Sequence, residues 1–116
     1  MEIIKKLSAL APKFPQPVVA LGMFDGVHLG HASVIRRAVE VARKISGTAI
    51  VFTFSNHPLS VLAPENAPLM IGSRSLRREI FESLGVDILI EIPFTRELSR
   101  KSPEEFLELL RDKISP

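Results

Sequence analysis

Three apolar runs limit what this chain can become: Val18-Val-Ala-Leu-Gly-Met23, Thr48-Ala-Ile-Val-Phe-Thr-Phe54 and Val86-Asp-Ile-Leu-Ile-Glu-Ile92. None alternates strictly between apolar and polar residues, so each suits a strand covered on both faces. Helical patterns fill the gaps between them. From about His31 to Ile45, the residues Val34, Ile35, Ala38, Val39, Ala42 and Ile45 fall on one stripe, and Ser46-Gly47 supplies a stop. Ser73 is a candidate N-cap for a helix through Leu84, closed by Gly85. In Ser102-Pro-Glu-Glu105 a serine cap, a proline in the first turn and a glutamate three residues on form a capping box. That helix runs from about Pro103 to Lys113. The order β-α-β-loop-α-β-α predicts an α/β fold: a parallel sheet with right-handed crossovers and helices on both faces.

The remaining segments are punctuation. Pro12, Pro15 and Pro17 interrupt regular structure before the first strand, and Asn56 to Gly72 reads mostly as a loop, with Pro58, Pro64 and Pro68. A loop of that length inside a compact domain is commonly functional. The last helix ends at Ile114-Ser-Pro116 with no strand after it, where a βα series would continue. The chain is therefore expected to be truncated at its C-terminus.

Composition excludes several classes. At 116 residues the chain fits one domain, 1–116, and 46% apolar with 24% charged residues rules against disorder. Seven Phe without Trp or Tyr make the core largely aliphatic. Basic residues cluster at Arg36, Arg37, Arg43 and Lys44, and again at Arg74, Arg77 and Arg78. Each cluster reads either as solvated helix surface or as a local field that attracts a polyphosphate. No basic stripe is interleaved with aromatics, so no nucleic-acid partner is expected. The absence of cysteine removes disulfides, thiolate metal sites and thiol nucleophiles. No apolar run has spanning length and Met1–Lys6 lacks a signal peptide's apolar region, so a cytoplasmic protein without a membrane partner is expected. Oligomeric state is left open.

Chemistry concentrates between the first strand and the first helix, in Gly22-Met-Phe-Asp-Gly-Val-His-Leu-Gly-His31. Open α/β sheets place ligands beyond the carboxyl ends of their strands, where free amides and the dipole of a helix N-terminus favour phosphate. Gly22, Gly26 and Gly30 leave room for close backbone approach to a polyphosphate. His28 and His31, three residues apart, can sit on one side of the first turn toward the same anion. In nucleotidyl transfer a phosphate attacks the α-phosphorus of a nucleotide, so the protein must align the groups and stabilise phosphoryl charge. Two imidazoles that donate hydrogen bonds and become cationic near neutral pH suit that task, with Mg²⁺ completing the neutralisation. A zinc reading of the two histidines lacks a third ligand nearby, and no protein-bound metal is expected.

The pattern Gly-x-Phe-Asp-Gly-Val-His-x-Gly-His, as it stands from Gly22 to His31, resembles the ATP-binding signature of prokaryotic FAD synthetases, within the HxGH nucleotidyltransferase superfamily. Thr53-Phe-Ser-Asn-His-Pro-Leu-Ser-Val-Leu62 is similar to the family's His-Pro segment, with Asn56 where proline is more usual. Pro93-Phe-Thr-Arg-Glu-Leu followed by Ser102-Pro-Glu-Glu-Phe106 is similar to a third family segment. The resemblance implies a Rossmann-like fold and transfer of AMP from ATP to FMN, giving FAD and pyrophosphate with Mg²⁺. It implies that His28 and His31 contact the ATP phosphates and act catalytically. Gly22, Met23, Phe24, Asp25, Gly26 and Gly30 would shape the nucleotide site, with His57 and Pro58 on the flavin side.

The family's later Gly-rich segment and its Ser-Ser-Thr-x-x-Arg motif are not in these residues, nor is the riboflavin kinase domain that often follows. The chain thus reads as the N-terminal part of an adenylyltransferase domain. Two alternatives stand beside this: a non-catalytic nucleotide-binding fragment needing a further segment or partner, and a cytidylyltransferase with another phosphate acceptor. The Asp-Gly-Val spacer and the His-Pro segment argue against the latter.

Overall fold

A computed structural model describes residues 1–6, 14–22, 29–56, 62, 63, 65 and 74–114. Among these residues four strands, β1 (Glu2–Ile4), β2 (Pro17–Leu21), β3 (Thr48–Phe54) and β4 (Ile88–Ile92), form one sheet in the order β1-β4-β3-β2. Every pairing is parallel, with Val51 opposite Leu89 and Ile50 opposite Ile88 in its centre. The helices are α1 (Leu29–Lys44), α2 (Arg74–Ser83), the four-residue α3 (Arg96–Ser99) and α4 (Pro103–Ile114).

The two-residue period of a strand sends the side chains of β3 and β4 alternately into two cores. On one face Ala20, Val51 and Leu89 meet Ile35, Phe81 and Val86, joining the sheet to α1 and α2. On the other, Ile50, Phe52, Ile88, Ile90 and Ile92 meet Ile4, Leu110 and Ile114, joining it to α4. The helices thus lie on both faces of a parallel sheet, a Rossmann-like arrangement. Continuous apolar runs were the right signature because β3 and β4 are buried on both sides. Phe81 is wholly buried, a contribution of about 1.5–3 kcal/mol.

Two helix ends follow the Schellman pattern, and the glycines serve different purposes in them. After α2, Gly85 takes φ +94° and donates to Glu82 O, Val86 donates to Phe81 O, and buried Val86 belongs to the same core as Phe81. After α1 the left-handed residue is Ser46 (φ 56°), while Gly47 donates to Ala42 O at 2.7 Å. Gly47 has no room for a side chain, because a Cβ there would stand 2.3 Å from Gln16 O. Arg43 near the end of α1 reaches both carboxylate oxygens of Asp87 (2.9 and 3.0 Å) and Gly85 O (2.7 Å). Asp87 also accepts from Ala49 N at 2.8 Å. The Arg43 contact, helped by that amide, holds the Asp87 carboxyl below the usual carboxylate range.

The capping box opens α4 as anticipated: Ser102 Oγ accepts from Glu105 N at 3.1 Å, and Ser102 N donates to Glu105 Oε1 at 3.4 Å. Element ends shift by one or two residues from the sequence reading, α1 starting at Leu29 and the fourth strand at Ile88. Strand β1 and helix α3 are additions. Most of the Asn56–Gly72 loop and the Ser73 cap lie outside the described residues.

Candidate functional site

The four parallel strands end on one side of the sheet, and there the chain leaves β2 through Gly22 toward α1. Gly22 N donates to Phe52 O at 3.2 Å, so β2 stays on the ladder until the glycine. Helix α1 begins seven residues later, with Gly30 and His31 in its first turn and no acidic residue there to oppose an anion. Gly22 and Gly30 thus belong to the strand-to-helix junction beyond the carboxyl edge. Met23, Phe24, Asp25, Gly26, His28, His57 and Pro58 lie outside the described residues.

The neighbouring strand ends are fastened to each other. Ser55 N donates to Ile92 O at 2.9 Å, which carries the β3–β4 ladder one step past the strands. The next rung is made by a side chain. Asn56 Nδ2 donates to Phe94 O (3.2 Å) while Phe94 N donates to Asn56 Oδ1 (2.7 Å), so one primary amide satisfies both backbone groups of a single residue.

Beneath this clasp, on the α2 face, lies an ion triad. Glu91, in the middle of an apolar strand, is 1% exposed and receives Arg77 at 2.8 Å and Arg78 at 2.5 Å. Arg77 also donates to Phe54 O at 3.2 Å, binding α2 to the carboxyl end of β3. Burial pushes the Glu91 carboxyl upward, but the two guanidinium hydrogen bonds and charges outweigh it and hold it below the usual range. This corrects the reading of Arg77 as solvated surface or as part of a field for polyphosphate: its side chain is 5% exposed and committed to Glu91. The signal was Glu91 itself, because a carboxylate in a buried strand must be paired.

On the α4 face an aromatic row runs along the same edge. Phe54 packs edge-on against Phe94 (centroids 5.1 Å, 79°) and Phe52 (6.0 Å, 89°), and Phe52 against Phe106 (5.8 Å, 83°). A cavity of about 350 Å³ opens between Phe54, Phe94, Phe106, Leu62, Leu98 and Lys101. A second, of about 590 Å³, adjoins it at Leu98 and Lys101 and extends to Lys5, Lys6 and Ile92. Both fall in the size range of small-molecule pockets; the first has mainly apolar walls, whereas Lys5, Lys6, Thr95, Glu97 and Lys101 also line the second. The described residues hold no group of three or more His, Asp or Glu placed to bind a metal, and no helix long and apolar enough to cross a membrane.

A family profile for FAD synthetase matches residues 11–115. The chain is 38% identical over 92 residues to a bifunctional riboflavin kinase/FMN adenylyltransferase of Listeria monocytogenes, covering 78% of this chain and 29% of that protein. The Bacillus subtilis protein of the same name gives 37% over the same shares, and a Listeria monocytogenes FAD synthetase gives 34% over 78% and 37%. The chain thus spans about a third of the length of these relatives. A solved structure described as a macrolide-efflux protein from Streptococcus pneumoniae superposes with TM-score 0.78 at 28% identity, covering 92% of this chain and 36% of that one.

Proposed function

The chain belongs to the FAD synthetase family, and on that premise we propose that it is the FMN-binding and ATP-binding part of an adenylyltransferase domain. In the reaction, a phosphate oxygen of FMN attacks the α-phosphorus of ATP. The bond to the bridging oxygen of the β-phosphate breaks, and pyrophosphate leaves with that electron pair. Mg²⁺ enters as part of the nucleotide substrate, held by its phosphates.

The observation that carries this reading is the place of the Gly22–His31 motif, which spans from the carboxyl end of β2 into the first turn of α1. Amides at that junction and the helix dipole favour the triphosphate. His28 and His31 donate to phosphoryl oxygens as charge builds on them in the transition state, and need not take a proton from the attacking phosphate, which is already anionic. In this reading Gly22, Met23, Phe24, Asp25, Gly26 and Gly30 serve the nucleotide. The isoalloxazine ring of FMN enters the aromatic cavity of Phe54, Phe94 and Phe106, where edge and face contacts suit a planar heterocycle. His57 and Pro58 serve the flavin in the same reading.

The test is FAD formation from FMN and Mg·ATP, resolved chromatographically, with the wild-type chain, His28→Ala and His31→Ala. FAD in proportion to protein, falling by about 10²–10³ in each variant at unchanged melting temperature, supports the assignment. A folded chain that binds neither FMN nor ATP overturns it.

A further inference from the structure

We infer that Asn56 is the positioning residue that holds the aromatic wall of the flavin-accepting cavity in place. This rests on the reading of that cavity given above. The β3–β4 backbone ladder stops at Ser55, and beyond it the two chain ends are joined by the Asn56 side chain, through both hydrogen bonds to Phe94. Phe94 and Phe54, two residues before Asn56, pack edge-on at 5.1 Å between centroids and together form one aromatic wall of the cavity. By holding the main chain of Phe94 against the end of β3, the amide fixes the position of that wall.

A backbone rung would have held residues 56 and 94 together equally well, but it would have kept both strands in the plane of the sheet. The side-chain rung ties Asn56 to Phe94 without requiring the main chain after Asn56 to stay in the ladder. Asn56 thus ties the exits of β3 and β4 together where the backbone ladder has ended. Its effect is expected on a planar aromatic ligand and not on a nucleotide bound at the end of β2, which β3 separates from β4 in the sheet.

The experiment measures affinity for FMN by quenching of flavin fluorescence, and for Mg·ATP by calorimetry, in wild type, Asn56→Ala and Asn56→Asp. Riboflavin is titrated in parallel, because it carries the ring without the phosphate. Asn56→Ala is expected to weaken FMN and riboflavin by the same factor, about tenfold or more, and to leave Mg·ATP within twofold. Asn56→Asp keeps the acceptor for Phe94 N but sets an oxygen against Phe94 O, and should fall between the two. If Asn56→Ala does not fold, the Asn56→Asp series carries the same comparison. Unchanged flavin affinity in a folded variant, or equal losses for flavin and nucleotide, overturns the inference alone. A wild-type chain that binds Mg·ATP but no flavin overturns the acceptor reading, and this inference with it.

Discussion

Replacing Glu91 by glutamine takes the one negative charge out of a triad that holds two guanidiniums. Glu91 and Arg77 are 1% and 5% exposed and Arg78 is 24% exposed, so water can re-solvate only the last. Glutamine offers one oxygen where the carboxylate offered two, and its amide turns a donor toward a second donor. Removing one partner of a buried ion pair typically costs about 3–5 kcal/mol, because the remaining charge is left buried without compensation. For a domain near 100 residues each kcal/mol moves the midpoint by about 4–8 °C, so Glu91→Gln should melt at least about 12 °C below wild type. Circular dichroism melts at pH 7 read this directly. The double variant Arg77→Met/Glu91→Leu removes both charges with similar volume, and it should recover most of the loss although Phe54 O surrenders its Arg77 donor. Acid adds a second reading. The Glu91 carboxyl is lowered in the folded state, so its contribution is full above the unfolded value of about 4.3 and disappears as pH falls through the lower folded value. The difference between wild type and Glu91→Gln should therefore shrink toward pH 2. A Glu91→Gln melt within 3 °C of wild type at pH 7 would refute the argument, showing that the triad contributes nothing that a neutral amide cannot.

Asp87→Ala should destabilise by about 1–3 kcal/mol in urea melts at neutral pH, chiefly by depriving the Ala49 amide of its acceptor; the half-exposed Arg43 pair itself adds little. Because the Asp87 carboxyl is lowered on folding, that difference is full above about pH 4 and should narrow as pH drops through the folded value; an equal gap at pH 3 and pH 7 would count against it. Gly47→Ala should cost about 2 kcal/mol, since the obstructing atom is a backbone oxygen at 2.3 Å that cannot step aside without moving Gln16; an unchanged denaturation midpoint would disprove the close approach.

The parts of this fold that could be read in the sequence are those whose cause is local. Continuous apolar runs gave β3 and β4 because both faces of each are covered, and Ser102 to Glu105 carries its cap within four residues. Strand β1 was not legible: three residues show no periodicity, and its partner β4 lies far along the chain, Glu2 pairing with Ile88. Helix α3 escaped for a similar reason, since four residues make barely one turn, signalled only by the Thr95 cap. The pairing of Arg77 with Glu91 and of Asn56 with Phe94 depends on tertiary register, so sequence could flag Glu91 as anomalous without naming its partners. For the site, residue types and the strand-to-helix context located the Gly22–His31 motif, whereas the aromatic cavity exists only because β3, α3 and α4 converge on one edge.

The position of β1 has a consequence for the order in which the molecule assembles. Pro17 of β2 pairs with Thr48 of β3 across a single helical crossover, whereas Glu2 pairs with Ile88, 86 positions along the chain. Closing the longer loop costs more entropy, and non-local pairings slow folding. On a ribosome the first strand made is thus the last to find its neighbour, and Ile4 waits until β4 has emerged before it can join the core it shares with Ile88, Ile90 and Leu110. Folding of this domain should therefore finish at its N-terminus.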